Sequence, residues 1–432
     1  MEPPHDCTTR WRNCPQFVRG QAIIVCLAVG PCGPVLVDDD SISRNSMTPA
    51  TKTLNRKLAR IIDDSNCRDF ILADAKDADM AFGLSAPGLS PEHYAGEARF
   101  RTLDEYREQI REIIRQELVD IMLMSVSTND VLTVHERLFD QSPITPAIRA
   151  NDTTDIWLAA GTGDYTGQPA LPFRTTLLDH AMCSHADCEP HERRLGAGLG
   201  LYSITLNNDT VLDRETLSAY REFRLEAERK GFRHFLEVFA PNACGDHCPA
   251  DLGRFINDSI VRALAGVPSA ARPVFLKIPY MGPQAMEALV RYDSSIVVGI
   301  LGGSAGTTMD AFHMLWEAKK YGARVALYGR KINNAEHQLS FIRCLRAIAD
   351  DQIKPIEAVR EYHGELRQLR IMPARSLEED LQLTPAQLSH GGGPTVTTTS
   401  KRPRDASEPD FSKMTSAEKS QWNLDRWRRI LD

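Results

Sequence analysis

The chain contains no apolar run approaching the ~20 residues that a membrane-crossing helix needs, so a membrane partner is not expected. It also lacks a basic segment interleaved with aromatic residues. The short cluster Lys401 to Arg404 lies in the tail, and nucleic acid is not expected as a partner either. The ten cysteines have no regular spacing, and four of them (Cys7, Cys14, Cys26 and Cys32) crowd the first 32 residues. In a long chain this pattern argues against a disulfide framework and for a reducing, cytoplasmic setting. Cys183, His185, Cys188 and His191 in MCSHADCEPH, and Cys244, His247 and Cys248 in ACGDHCP, have the residue types of a zinc site. Neither cluster has paired CxxC spacing, so no metal or other cofactor is expected. The run Ala22 to Val29, behind Arg10, Arg12 and Arg19, has the outline of a secretory leader but is short and has no clear small-x-small cleavage site after it. Met47 is an alternative start.

What is present suffices for one large core: 432 residues, 42% apolar, with a net charge of −7. A single α/β barrel takes about 250 residues, so a barrel with extensions accounts for the length. The clearest pattern lies between Arg272 and Lys331. Three aliphatic runs, Pro273 to Tyr280, Ser295 to Thr308 and Ala323 to Ile332, alternate with two helical segments, GPQAMEALVRYD and MDAFHMLWEAKKYG. Strands apolar on both faces and separated by helices imply parallel pairing through right-handed crossovers.

Lys277 sits inside the first of these runs, between Leu276 and Ile278. Burial there disfavours the charged amine and leaves a nucleophile able to attack a carbonyl, which points to Schiff-base chemistry. A lysine snorkelling out at a strand end is the alternative. Gly302, Gly303, Ser304, Ala305, Gly306 and Thr307 follow the second strand and open a helix, so their N–H groups and the helix terminus are expected to cradle an anion. Gly329 and Arg330 close the third strand, where the guanidinium would hold the same anion. In α/β barrels a phosphate commonly lies between the loops after strands seven and eight.

PVFLKIPY, VVGILGGSAGTT and VALYGRKI together resemble the last three strands of the class I aldolases, the group of tagatose-bisphosphate aldolase and archaeal-type fructose-bisphosphate aldolase. The resemblance implies a (β/α)8 TIM barrel with Lys277 as the imine-forming residue, and Gly303, Ser304, Gly329 and Arg330 at the substrate phosphate. It also implies a general acid/base glutamate on strand five, which Glu237 in LEVF matches. Phe239 rules out the tyrosine route of the archaeal branch, and Ser203, Thr205 and Asn207 stand on strand four where some relatives supply a lysine for a second phosphate. That makes a bisphosphate substrate doubtful.

Earlier in the chain, KTLNRKLARIIDD is an amphipathic helix suited to the barrel floor, and Cys67 to Ala75 is strand one, ending at Asp74. Asp74 is placed to orient Lys277 or share in proton transfer, with a solvated loop charge as the alternative. Thr102 and Glu105 make a capping box for a helix to Leu118. Strands two and three are Val119 to Ser127 and Ile144 to Asp152, and Arg149 near the end of the latter is suited to a second anionic group or to an ion pair. Thr153 to Ala197 is an irregular insertion. Strands four and five are Leu199 to Asp209 and Phe232 to Asn242, joined by a helix ending at Gly231. Asn333 or Asn334 is expected to cap helix eight.

The expected organisation is a disordered leader over residues 1–50, the barrel over 51–371, and a low-complexity tail over 372–432 with a short helix anchored by Trp422, Leu424, Trp427 and Leu431. That helix would dock on its own barrel or on another copy, so a homo-oligomer stays open. The leading functional expectation is a metal-independent class I lyase of carbohydrate metabolism acting on a phosphorylated sugar or a keto or aldehyde phosphate. Two others stand beside it: a phosphate-handling isomerase or synthase in which Lys277 is only electrostatic, and a degenerate barrel that binds phosphometabolites without turnover.

Overall fold

The structure is a computed structural model that describes residues 50–64, 66–89, 100–158, 168–303 and 306–384. The expected leader, most of the tail with its helix, and Ser304 lie outside the described residues.

Eight parallel strands close into a barrel in sequence order: β1 (Ile71–Lys76), β2 (Ile121–Met124), β3 (Thr145–Arg149), β4 (Leu199–Thr205), β5 (Arg233–Phe239), β6 (Leu276–Ile278), β7 (Val298–Leu301) and β8 (Val325–Tyr328), with β8 paired back to β1. This is the expected (β/α)8 architecture. Its strands are shorter than the apolar runs because each run continues into a loop on the mouth of the barrel.

Alternation along the strands separates two apolar clusters. Ile71, Ala73, Ala75, Ile121, Leu123, Ala147, Leu199, Leu201, Phe235, Phe275, Val325 and Leu327 fill the lumen. Their neighbours in sequence, such as Leu72, Met122, Ile148, Tyr202, Leu236, Leu276 and Tyr328, face the helices. Leu54 and Leu58 of the helix Thr53–Asp63 join the lumen cluster, so this helix plugs the floor. Phe235 and Phe275 stack at 4.5 Å between ring centroids and make a dry layer two residues below Glu237 and Lys277.

Local signals set the helix ends. Thr102 and Glu105 form the capping box of Leu103–Gln116, and Gly231 ends Thr210–Lys230 in the left-handed region at φ 68°. The cap expected at Asn333 or Asn334 is instead His337, whose side chain accepts from Ser340 N at the start of Gln338–Ala349. Gly329 breaks the chain first, and Arg330–Asn333 becomes a separate turn of helix directly after β8. The Thr153 to Ala197 insertion has more order than its sequence suggests. It holds a two-strand antiparallel ribbon (Asp152–Thr153 with Pro172–Phe173) and the helix Leu178–Cys183.

Past residue 371 the chain stays ordered to Thr384 and crosses the mouth of the barrel. Asp380 Oδ1 accepts from Thr308 N at 2.7 Å, and Thr384 N donates to Asp310 Oδ1 at 2.8 Å. Among the described residues there are two disulfides, Cys183–Cys188 and Cys244–Cys248. They join positions only five and four residues apart, so neither staples distant parts of the chain. Among the described residues, no helix is long and apolar enough to cross a membrane.

Candidate active site

Strand register builds the centre of the site. Glu237 on β5 pairs with Lys277 on β6, and Ser203 on β4 pairs with Glu237. All three therefore face the lumen at one height. Lys277 Nζ lies 2.6 Å from Glu237 Oε1, and Ser203 Oγ donates to Glu237 Oε2 at 2.7 Å. Glu237 is 1% exposed and Lys277 9%. A buried carboxylate is tolerated where both oxygens have partners, and here a cation takes one and a hydroxyl the other. Ser203 is itself fixed by Asn151, whose side chain accepts from Ser203 N at 2.7 Å and donates to Ser203 O at 2.8 Å.

The pair opens into a cavity of about 630 Å³ at the carboxyl ends of the strands. Arg149, Gly302, Gly303, Gly329 and Arg330 line it together with Glu237 and Lys277, so seven of the nine residues singled out from sequence converge there. Ser304 is outside the described residues.

Asp74 is the exception and requires a correction. Within the lumen series Ile71, Ala73, Ala75 it has the opposite parity, so it faces the helices beside Lys76, with Nζ 3.5 Å from Asp74 Oδ2. Both groups are fully buried. Burial pushes the Asp74 carboxyl up to about 6 despite Lys76, and it pulls the Lys76 amine down despite Asp74. Lys76 donates to Gln338 Oε1 at 2.9 Å, which ties β1 to the last barrel helix.

The lumen carboxylate on this side is Asp77, two residues beyond Ala75. It accepts from Arg149 Nη1 at 3.0 Å and lines the cavity. Burial works against the Arg149 charge, but the carboxylates of Asp77 and Glu237 outweigh it and hold the guanidinium above its usual range. Asp77, Arg149, Glu237 and Lys277 thus alternate in sign around the floor of the cavity.

Among the described residues of the expected anion cradle, several N–H groups already have protein partners. Gly302 N is spent on Leu327 O at 2.7 Å, within the extended β7–β8 pairing. The terminus of helix Thr308–Lys320 is filled by protein carboxylates: Thr307 N donates to Asp310 Oδ2 at 2.7 Å, and Thr308 N donates to Asp380. Among the described residues, the turn at Gly303 (φ 61°), the Gly329 corner and Arg330 line the cavity on this side. A Cβ at Gly329 would press on the Ala75 carbonyl oxygen at 3.1 Å, which is why glycine stands there. Lys331 joins the two loops by donating to Gly306 O at 2.7 Å and Thr307 O at 3.0 Å, and burial lowers its amine to about 8. Met281, Met314, Ile156, Phe239 and Leu383 make the remaining walls largely apolar.

No known family profile matches the chain, and no curated relative matches it. Among solved structures, an archaeal fructose 1,6-bisphosphate aldolase is similar over 68% of this chain and 98% of its own, at 16% identity and a TM-score of 0.47. A Schiff-base-forming fructose-1,6-bisphosphate aldolase is similar over 69% and 100%, at 17% and 0.48. An N-acetylneuraminate lyase from Fusobacterium nucleatum is similar over 70% and 82%, at 10% and 0.37. At such identities the likeness is one of barrel architecture, and the assignment of fold rests on the closed strand order itself.

Proposed function

We propose that this chain is a class I aldolase-type lyase that forms an imine on Lys277 and cleaves or joins a carbon–carbon bond in a keto or aldehyde phosphate. The observation that carries this reading is the 2.6 Å pair of Lys277 Nζ and Glu237 Oε1, held above a dry aromatic layer and open to one cavity. In the resting site the ammonium lies against the carboxylate. Transfer of one proton from Lys277 to Glu237 frees the amine lone pair to add to the substrate carbonyl carbon. The proton on Glu237 then passes to the carbinolamine hydroxyl, which leaves as water and gives the iminium. Breaking the bond between the carbons α and β to the iminium sends its electron pair toward the iminium, forming an enamine as the β-carbon departs as the aldehyde. Glu237 takes the hydroxyl proton of the departing fragment. The imine nitrogen is the electron sink throughout, so the scheme assigns no step to a metal.

Gly303, Gly329 and Arg330 are suited to a single phosphate or similar anion, and binding energy there would align the reacting carbons remote from it. The apolar walls and the Asp77–Arg149 pairing favour a substrate with one anionic end over a bisphosphate. Exchange of the α-hydrogens of dihydroxyacetone phosphate in deuterated water tests the half-reaction without the second substrate. Exchange above the buffer rate that disappears in Lys277→Met supports the reading. No exchange with this ketone, and no cleavage of ketose 1-phosphates, would overturn it.

A further inference from the structure

The loop after helix Leu178–Cys183 takes no part in the barrel cavity, yet it gathers four side chains of metal-ligand type. Cys183 and Cys188 are bonded to each other, with Cα atoms 6.1 Å apart, and both are buried. His185 Nδ1 lies 2.8 Å from the Ala186 carbonyl oxygen, which can only accept, so Nδ1 carries the hydrogen. Nε2 then presents its lone pair to Glu192 Oε1 at 3.3 Å. Two acceptors facing each other at that distance call for a positive particle between them, a second proton or a metal ion. A ligand histidine whose other nitrogen donates to a backbone carbonyl is also the arrangement that fixes imidazole orientation in metal sites.

The ligand atoms of Cys183, His185 and Glu192 all lie within 4.8 Å of one another, and Cys188 Sγ is bonded to the first. Donors at about 2.0–2.3 Å from a tetrahedral zinc ion stand about 3.3–3.8 Å from each other, so Cys183, His185 and Glu192 need to close by only about 1 Å, and Cys188, once released from Cys183, is the candidate fourth donor. Among the described residues no third donor joins Cys244 and Cys248 in this way, which makes that loop an internal control.

We propose that the Cys183–Cys188 disulfide and a Zn²⁺ ion are alternative occupants of this loop, so that zinc binding is gated by thiol redox state. A dithiol reductant delivers two electrons and two protons to the disulfide and becomes a cyclic disulfide, leaving two thiols. Zn²⁺ then displaces those two protons and is held by the two thiolates, His185 Nε2 and Glu192. Oxidation of the thiols by a small-molecule disulfide forms the Cys183–Cys188 bond and expels the ion. Only the thiolate is an effective ligand, so the two states exclude each other. The site does not depend on the lyase reading, since none of its residues lines the cavity.

The test uses the full chain, reduced by a phosphine and then freed of it, titrated with Zn²⁺ alone against a chromogenic chelator. The control variant is His185→Gln/Glu192→Gln, whose changes leave the buried sulfurs in place. Reduced wild type is expected to bind one more equivalent than the double variant, or to bind it at least about 100-fold more tightly, since the variant lacks two of the four ligands. Oxidised wild type is expected to lose that equivalent, and His247→Gln to keep it. Cobalt in place of zinc should give a thiolate charge-transfer band in wild type that His185→Gln weakens. Equal zinc content and affinity in reduced wild type and the double variant would overturn the proposal, as would equal binding by oxidised and reduced chains.

Discussion

Glu237 and Lys277 occupy facing positions on adjacent strands, with Oε1 and Nζ 2.6 Å apart inside a closed barrel. Neither is stable there alone, because removing one partner leaves the other charge buried. Chemistry and stability therefore separate differently in single and double variants. Lys277→Met should abolish imine-dependent turnover and destabilise the fold by about 3–5 kcal/mol. Adding Glu237→Gln should recover most of that stability and none of the turnover. Urea unfolding and an exchange assay on the same preparations check both halves.

Glu237→Gln alone keeps the shape and the Ser203 contact but cannot carry the proton. Turnover should fall by about 10²–10⁴-fold, while imine formation, followed by trapping, slows but stays on Lys277. A variant that turns over at the wild-type rate would assign the proton transfer to another group.

Asp74 and Asp77 lie three residues apart and on opposite faces of the barrel wall. Asp77→Asn should release Arg149 and cost activity on the order of 10²-fold, as expected for misplaced groups in a site. Asp74→Asn should leave kcat near wild type and lower stability, because Lys76 is then buried without its carboxylate. Steady-state kinetics and thermal melts on the two variants separate the faces.

His234, buried at the start of β5 with Nε2 2.8 Å from the Tyr220 hydroxyl, is pushed by burial down to about 3 from 6.5. The unfolded chain therefore binds a proton at this position below 6.5, whereas the folded chain does so only below about 3. Its contribution to stability is complete above 6.5 and is lost as the pH falls through that window, at about 1.4 kcal/mol per unit and at most about 5 in all. His234→Gln should flatten the fall in urea midpoint between pH 6 and pH 4 relative to wild type.

The barrel and the gathering of most candidate residues at its mouth were legible in the chain because the last three strands carry the lysine, the glycine turn and the Gly-Arg corner in one unbroken order. Glu237 was legible because a carboxylate inside LEVF needs a partner. Asp74 misled because a strand end was read without its parity; the series Ile71, Ala73, Ala75 runs on to Asp77, and alternation alone selects that residue. Ser203 was read as the mark of a missing lysine. Its pairing with Glu237 depends on the stagger between β4 and β5, which no local pattern encodes. The filling of the helix terminus by Asp380 was beyond reach as well, since it joins residues 72 positions apart.

The most direct test of the central claim is borohydride reduction of the full chain with dihydroxyacetone phosphate, glyceraldehyde phosphate or acetaldehyde, followed by peptide mass mapping. The account predicts one reduced adduct on the peptide containing Lys277, absent from Lys277→Met and suppressed by competing inorganic phosphate for the two phosphorylated compounds. Adducts confined to exposed lysines, or none with any of the three carbonyls, would contradict it.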